Sequence, residues 1–448
     1  MKKIFTMAAL AFLMTACSND IDEPQAQQQP ANSDGMITIT AKLAPKSEAG
    51  TRAVAPGTDS NGKDIIKVKW AVDEHLAILY EVNSTKYEAD ARISYVDANT
   101  GIATITFSVV EGTADNTACT IVYPKSAAKE DHSGVKDAAT LLATQDGTLN
   151  ANLDVRVGAG TIIATTPNLI VTTQPAAQFA IHKFTIQDLS AADKTATEFK
   201  VSDASGNVIA TVTPGSATGT LYVALPEMVA GTYWFNATID SKSYIAKATT
   251  AAATVAGMYY QTTVKMATIG DVILSDGKFA VAGTSGAVAK ICYVGGENGE
   301  AAPYNHGLAL ALSDANGGGA CKWKTSNDDA GHTKQTSNTF TEESGLQYNA
   351  MHNSEIDNYP AFKAAIANNG TAAPTGCSAW FLASGYQWTK MFAGDAGGLK
   401  TLAGLKSGYY WSSTEHGANS AWHFLSDVGY WDLDNKGLDN RVRSCLAF

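Results

Sequence analysis

A chain of 448 residues is too long for a single hydrophobic core and suggests about three domains. Its net charge of −11, with only 17% charged residues, lacks the basic footprint of a nucleic-acid binder, so no nucleic-acid partner is expected. No apolar run approaches the roughly 20 residues that a membrane-spanning helix needs. Thr, Ala, Ser and Gly alternate with β-branched and aromatic residues in short runs, which marks a mostly β chain.

The first residues are a targeting segment. Lys2 and Lys3 precede a short apolar stretch, Ile4 to Met14, and Met14-Thr15-Ala16-Cys17 ends it with small residues and a cysteine. This resembles the lipobox of bacterial lipoproteins, which implies that 1–17 is a lipoprotein signal peptide and that Cys17 is acylated and anchors the protein in the outer membrane. An ordinary secretory peptide with an incidental cysteine is the alternative. Ser18 to Glu23 is acidic and Pro24 to Gly35 is a Gln/Pro/Asn tether that cannot pack a core, so 18–35 is expected to be disordered. The acidic stretch resembles the surface-export signal of lipoproteins in the Bacteroidetes, which implies a surface-exposed protein.

Met36 to Leu43 is the first strand, with Ile37, Ile39, Ala41 and Leu43 on one face. A loop is expected from Ala44 to Gly62, and it contains Arg52, which has no arginine neighbour before Arg92. Ile65 to Trp70, Leu76 to Val82, Arg92 to Val96, Ile102 to Val110 and Cys119 to Pro124 are further short strands bounded by turn residues, and a β-sandwich over 36–172 fits their spacing. Seven more runs, from Gln178 to Ile186 through Tyr259 to Met266, predict a second β-sandwich over 173–268.

From Gly270 the vocabulary changes. Val288 to Val294 is an apolar strand, and Ser313 to Leu346 is long, polar and glycine-rich. The first helices are expected here: Pro360 leads Ala361 to Ala367, and Ser384 with Gln387 forms a capping box that opens Gly385 to Phe392. Between Tyr409 and Phe448, the pairs Tyr409/Trp411, Trp422/Phe424 and Leu446/Phe448 each place two large groups on one strand face, with turns at Gly417, Gly429 and Gly437. Val442 to Phe448 is read as a closing strand of a compact module, 269–448.

Several blocks over about residues 1–268 resemble the fimbrillin family, the type V pilins and Mfa-like lipoproteins of the Bacteroidales. They are the lipobox, Thr51-Arg52-Ala53 after the first strand, Trp70 … Asp73 … Leu76-Ala-Ile-Leu-Tyr80, Ile121-Val-Tyr-Pro124 and Phe179 … His182-Lys-Phe184. The resemblance implies two tandem pilin-like β-sandwich domains and an assembly step. An arginine-specific protease would cut between Arg52 and Ala53, and a pilin subunit would donate a β-strand to the vacated groove. The competing expectation is that Arg52 is an exposed loop residue that is never cut.

The third region resembles the C-type-lectin-like fold of formylglycine-generating-type and major-paralogous-type domains, through His306-Gly307-Leu308-Ala309, Trp380 to Ser384 with Trp388, Tyr410-Trp411-Ser-Ser-Thr-Glu415, Ala421-Trp422 and Val442-Arg443 … Phe448. An oxidase of the formylglycine-generating kind needs a reactive cysteine pair near the end of the fold. Only Cys445 lies there, so no enzyme and no cofactor are expected. Ser412, Ser413 and His416 do not make a hydrolytic site, because neighbours along a strand point to opposite faces.

The candidate ligand-binding residues are His423, Asp427, Tyr430, Trp431 and Asp432, aromatic rings and polar groups suited to a shallow glycan site. The competing expectation puts those rings in the core. Asp432, Asp434 and Asn435 before Gly437 resemble the beginning of a calcium loop but lack its distal glutamate, and a tight turn is the alternative. Cys119 is expected to be a buried thiol, whereas Cys292, Cys321, Cys377 and Cys445 allow three pairings between which sequence does not choose.

Together these readings predict a mostly β, surface-exposed, fimbrillin-like lipoprotein with an α+β C-type-lectin-like end domain. It would act in cell adhesion as a pilus tip or accessory subunit, with a host or bacterial surface glycan or protein as ligand. The runner-up is a non-assembling, lipid-anchored glycan-binding protein for polysaccharide capture.

Overall fold

The computed structural model describes residues 36–46, 54–58, 64–394 and 398–448. The first unit contains β1 (Met36–Leu43), β2 (Val54–Thr58), β3 (Asp64–Val68), β4 (His75–Val82), β5 (Thr85–Val96), β6 (Ala103–Val110), β7 (Thr117–Tyr123), β8 (Arg156–Ile163) and β9 (Asn168–Ala177). Seven of these strands pair in the order β1-β6-β5-β4-β7-β8-β9 and close on themselves, while β2 and β3 form a separate hairpin. Where a sandwich was expected, hydrogen bonding carries one sheet round to closure. The closure is uneven: β1 pairs with β6 antiparallel along all eight residues, but meets β9 in a parallel pairing at Thr40 and Asn168. Strand β9 also runs across the expected boundary at 172.

Strict alternation makes β6 a half-buried strand, with Ala103, Ile105, Phe107 and Val109 inward. Strand β4 differs, because five consecutive residues, Leu76 to Tyr80, are buried. Leu76, Ile78 and Tyr80 fill the barrel, and Ala77 and Leu79 face a second core belonging mostly to the next unit. A strand covered on both faces reads as a continuous apolar run.

The second unit contains β10 (Ala180–Asp188), β11 (Glu198–Ser202), β12 (Val208–Val212), β13 (Thr220–Leu225), β14 (Gly231–Ile239), β15 (Lys242–Thr250) and β16 (Tyr259–Thr268). They form one seven-stranded sheet, ordered β12-β11-β14-β15-β16-β10-β13, around Phe184, Phe199 and Phe235. The segment between β7 and β8 closes this core with Ala127, Ala128, Leu142, Leu153 and Val155. It includes the short helix α1 (Ala138–Leu142), capped by Asp137 accepting from the Thr140 amide at 2.8 Å. Helices therefore begin earlier than the third region, contrary to the sequence reading.

The third unit contains β17 (Val272–Leu274), β18 (Phe279–Ala280), β19 (Ala287–Val294), β20 (Gly307–Ala311), β21 (Cys321–Lys322), α2 (Gly345–Met351), α3 (Pro360–Ala367), β22 (Phe381–Leu382), α4 (Gly385–Gly394), α5 (Leu399–Ala403), β23 (Tyr409–Gly417), β24 (Ser420–Leu425), β25 (Tyr430–Asn435), β26 (Asp439–Asn440) and β27 (Ser444–Ala447). A six-stranded sheet runs β18-β17-β19-β20-β27-β22, beside a three-stranded sheet β23-β24-β25 and the pair β21-β26. Strand β27 is flanked on both sides, and Phe448 after it is fully buried. Gly307 permits this, since a Cβ there would come within 2.4 Å of the Phe448 ring. Pro360 starts α3 and Asn368 ends it with φ at 38°; Ser384 and Gln387 close the expected capping box at 3.2 and 3.0 Å. Helix α2, which the sequence reading does not include, begins where the polar stretch ends and is capped by Ser344 accepting from the Gln347 amide at 2.9 Å.

Among the described residues Cys119, Cys292, Cys321, Cys377 and Cys445 form no disulfide, and burial pushes the Cys119 thiol up to about 12. Among the described residues no helix is long and apolar enough to cross a membrane.

Candidate functional site

Three sequence-derived site residues, Cys17, Arg52 and Ala53, lie outside the described residues. The segment leading toward them is described as far as Lys46, and its surroundings are specific. Past the inward Leu43, the Trp70 indole N–H donates to the Ala44 carbonyl at 2.8 Å, and the Ala44 amide donates to the Gln174 side chain at 3.1 Å. Lys46 then turns inward. Its side chain is 0% exposed, its ammonium sits 3.4 Å from the Tyr123 ring centroid and 4.3 Å from that of Trp70, and those rings meet edge to face at 5.2 Å.

Two carboxylates complete this box. Asp154 lies 3.1 Å and Glu74 3.6 Å from the Lys46 ammonium. Glu74 accepts the Tyr123 hydroxyl at 2.6 Å and the Ala71 amide at 3.0 Å, and Asp154 accepts from Arg156 at 2.8 Å. Burial pulls the Lys46 ammonium below the usual lysine range, opposed by Asp154 and then Glu74, and burial raises the Tyr123 phenol. Trp70 and Tyr123 belong to blocks that the sequence singles out; Lys46, Glu74 and Asp154 were not read as a site. The available signal was weak: a lone lysine three residues beyond an alternating apolar strand.

The candidate ligand residues are split by the pleat of the sheet β23-β24-β25. In the three-stranded sheet, Tyr409, Leu425 and Tyr430 are cross-strand partners, as are Trp411, His423 and Asp432, so both rows share one face. Tyr409 and Tyr430 are 44% and 58% exposed there. His423 is buried beneath, 4.5 Å from the Tyr409 ring. Asn440 donates to its Nδ1 at 3.3 Å and to Asp434 at 3.0 Å, and burial lowers the affinity of the imidazole for a proton, against the pull of Asp434 and Asp432. Trp431 points the other way, into contact with Phe340 at 4.5 Å and Phe424 at 5.5 Å, and so belongs with the core. Asp427 sits in the β24–β25 turn, where its pairing with Lys400 holds the carboxyl below the usual carboxylate range.

The calcium-loop reading placed a loop where the chain is an extended strand. Asp432, Asp434 and Asn435 all lie in β25, so Asn435 faces away from the two aspartates. Their oxygens accept from Leu433, Asn440 and the Asn435 and Gly437 amides.

The Trp-Ser-Ser-Thr-Glu block serves the fold. The Ser412 hydroxyl donates to the Trp422 carbonyl at 2.8 Å, Thr414 donates to Glu343 at 2.7 Å, and Glu415 forms a fully buried ion pair with Lys436. Arg443 is equally committed, to Asp314 at 2.7 Å and to the Ala311 carbonyl at 2.7 Å. His416 lies against Ser420 instead, with Nδ1 3.1 Å from its hydroxyl.

No family model matches the chain, and no curated protein matches it. Solved structures similar to it include a fimbrial protein from Bacteroides ovatus, at 11% identity and a TM-score of 0.32, covering 92% of this chain and 99% of that one. A fimbrial assembly protein from Parabacteroides distasonis aligns at 12% identity and a TM-score of 0.29, over 51% of this chain and 90% of its own. The tip fimbrial protein Mfa3 from Porphyromonas gingivalis, truncated at its C-terminus, aligns at 10% identity and a TM-score of 0.22, over 48% of this chain and 81% of its own. These scores are too low to carry fold or function across.

Proposed function

We propose that the protein is a fimbrillin-like surface subunit that acts in cell adhesion, with β1 as a replaceable strand and the third unit as a lectin-like recognition head. The carrying observation is the lopsided pairing of β1: a full antiparallel ladder to β6 on one side, and a meeting with β9 at Thr40 on the other. Ile39, Ala41 and Leu43 fill the barrel from this strand, each worth up to about 1.5–3 kcal/mol for the larger side chains, so a vacated groove would draw in another extended segment. Cys17 would anchor the precursor in the outer membrane, and cleavage between Arg52 and Ala53 would free the strand for replacement by one from a pilin subunit.

A terminal position in a filament fits best, because β27 is hydrogen-bonded on both sides and cannot be lent to a neighbour without dismantling its sheet. The ligand, a surface glycan or protein, would meet the face carrying Tyr409, Tyr430 and Asp432, with His423 behind it. The clamp on Lys46 favours a second reading, in which β1 is retained and the protein stays lipid-anchored as a glycan-binding protein. Sequencing the N-terminus of the protein recovered from sheared surface filaments separates the two. Ala53 is expected; recovery solely from membranes, with an acylated Cys17 terminus, would overturn assembly.

A further inference from the structure

We propose that the box of Trp70, Tyr123, Glu74 and Asp154 is a cation-reading subsite of the β1 groove. A strand that replaces residues 36–46 must then carry a lysine or arginine three positions after its last inward apolar residue. The inference rests on the reading of β1 as replaceable, and it specifies the chemistry of the partner strand.

Charge within the box supplies the argument. Lys46 and Arg156 balance Glu74 and Asp154, so the four groups sum to zero with Lys46 in place and to −1 without it. A replacement strand that matched only Ile39, Ala41 and Leu43 would close the groove over that uncompensated charge, which is costly in a dry site. It would also leave the faces of Trp70 and Tyr123 without the cation they hold at 4.3 and 3.4 Å. The bond that Trp70 donates to the Ala44 carbonyl and the bond that the Ala44 amide donates to Gln174 use main-chain groups that any residue except proline supplies at that position, and they set the register in which the next cation reaches the box. Selection among strands therefore falls on the inward apolar positions and on this one cation.

The test begins with the full chain cleaved by an arginine-specific protease, verified by a new Ala53 terminus, after which the protease is inhibited. A fluorescent peptide of residues 36–46 is then exchanged into the groove and its affinity compared with peptides carrying Lys46→Arg and Lys46→Gln. Binding of the Arg peptide within about threefold of the native one, with the Gln peptide weaker by about tenfold or more, is expected for one desolvated ion pair with its cation–π contacts. A Glu74→Gln/Asp154→Asn variant should narrow the gap between the Lys and Gln peptides to about threefold or less. Equal binding of the Lys and Gln peptides overturns the cation requirement while leaving β1 replaceable. Failure of every peptide to enter the cleaved protein overturns replaceability, and the requirement with it. In the uncleaved chain, Lys46→Gln should speed amide exchange at residues 37–43 by about tenfold and Lys46→Arg by less than about threefold. Unchanged exchange in Lys46→Gln also overturns the proposal.

Discussion

His332 and His352 bring their Nε2 atoms to 2.5 Å, a distance that requires one proton between them. His332 Nδ1 faces the Ser413 carbonyl at 3.1 Å, so Nδ1 carries the proton there, and His352 donates across the gap. The pair is stacked between Tyr348 at 4.1 Å and Tyr359 at 3.8 Å. Burial lowers His332 to about 3, assisted by the charge of its partner, and lowers His352 to about 4. Both are neutral when folded, while the unfolded chain takes up protons near pH 6.5. Their contribution to stability is therefore complete above about pH 6.5 and is lost as pH falls toward about 4 for His352 and about 3 for His332, by up to about 1.4 kcal/mol per pH unit for each histidine. Denaturant unfolding should show stability falling from pH 7 to pH 5. His352→Gln, which keeps a donor toward His332, should reduce that fall by about one histidine's share, because His182 and His306, each lowered to about 4 by burial, titrate in the same window. An unchanged slope in the variant would contradict the assignment.

At the scale of elements, local chemistry decides most of what is found. Ser384 caps α4 by accepting from the Gln387 amide, and its hydroxyl also donates to the Glu343 carbonyl at 2.9 Å. Ser384→Ala should cost about 1–2 kcal/mol, read as a lowered denaturant midpoint, with Ser384→Thr smaller in effect where the methyl is accommodated. Such caps are legible because donor and acceptor lie three residues apart, and the alternation in β1 and β6 is legible for the same reason. The β4–β5 hairpin was only half read. Its turn, Asn83-Ser84, holds φ of 49° and 63°, a primed turn without the glycine that usually marks one, so Thr85 to Ala91 were not assigned to a strand. Closure of the barrel and the role of residues 125–155 depend on how the sheet curls and what it leaves uncovered, which no short window encodes. The box around Lys46 was hidden for a related reason: its partners stand at 70, 74, 123 and 154. Trp431 meets the competing expectation of a core ring, since strand alternation alone separates it from Tyr430 and Asp432.

For the whole molecule, the issue is whether the units behave as beads on a thread. In β14, Tyr233 and Phe235 enter the second unit's core while Trp234 between them turns to the third. It stacks on His306 with ring centroids 4.0 Å apart, lies 6.4 Å from both Phe279 and Phe448, and shares a cluster with Ile291, Ala309 and Leu446. β14 thus repeats the arrangement of β4, one strand serving two cores, and each unit completes its burial on the next. Such sharing makes unfolding cooperative across the boundary, since the third unit cannot open without exposing Trp234 and Phe448 together. Calorimetry of the full chain should therefore show the second and third units melting in one transition. Trp234→Ala removes the shared ring at a cost of about 3–5 kcal/mol and should split that transition into two. A lowered but still single transition would mean that the remaining cluster suffices to couple the units, and separate transitions in the unaltered protein would mean that Trp234 couples nothing.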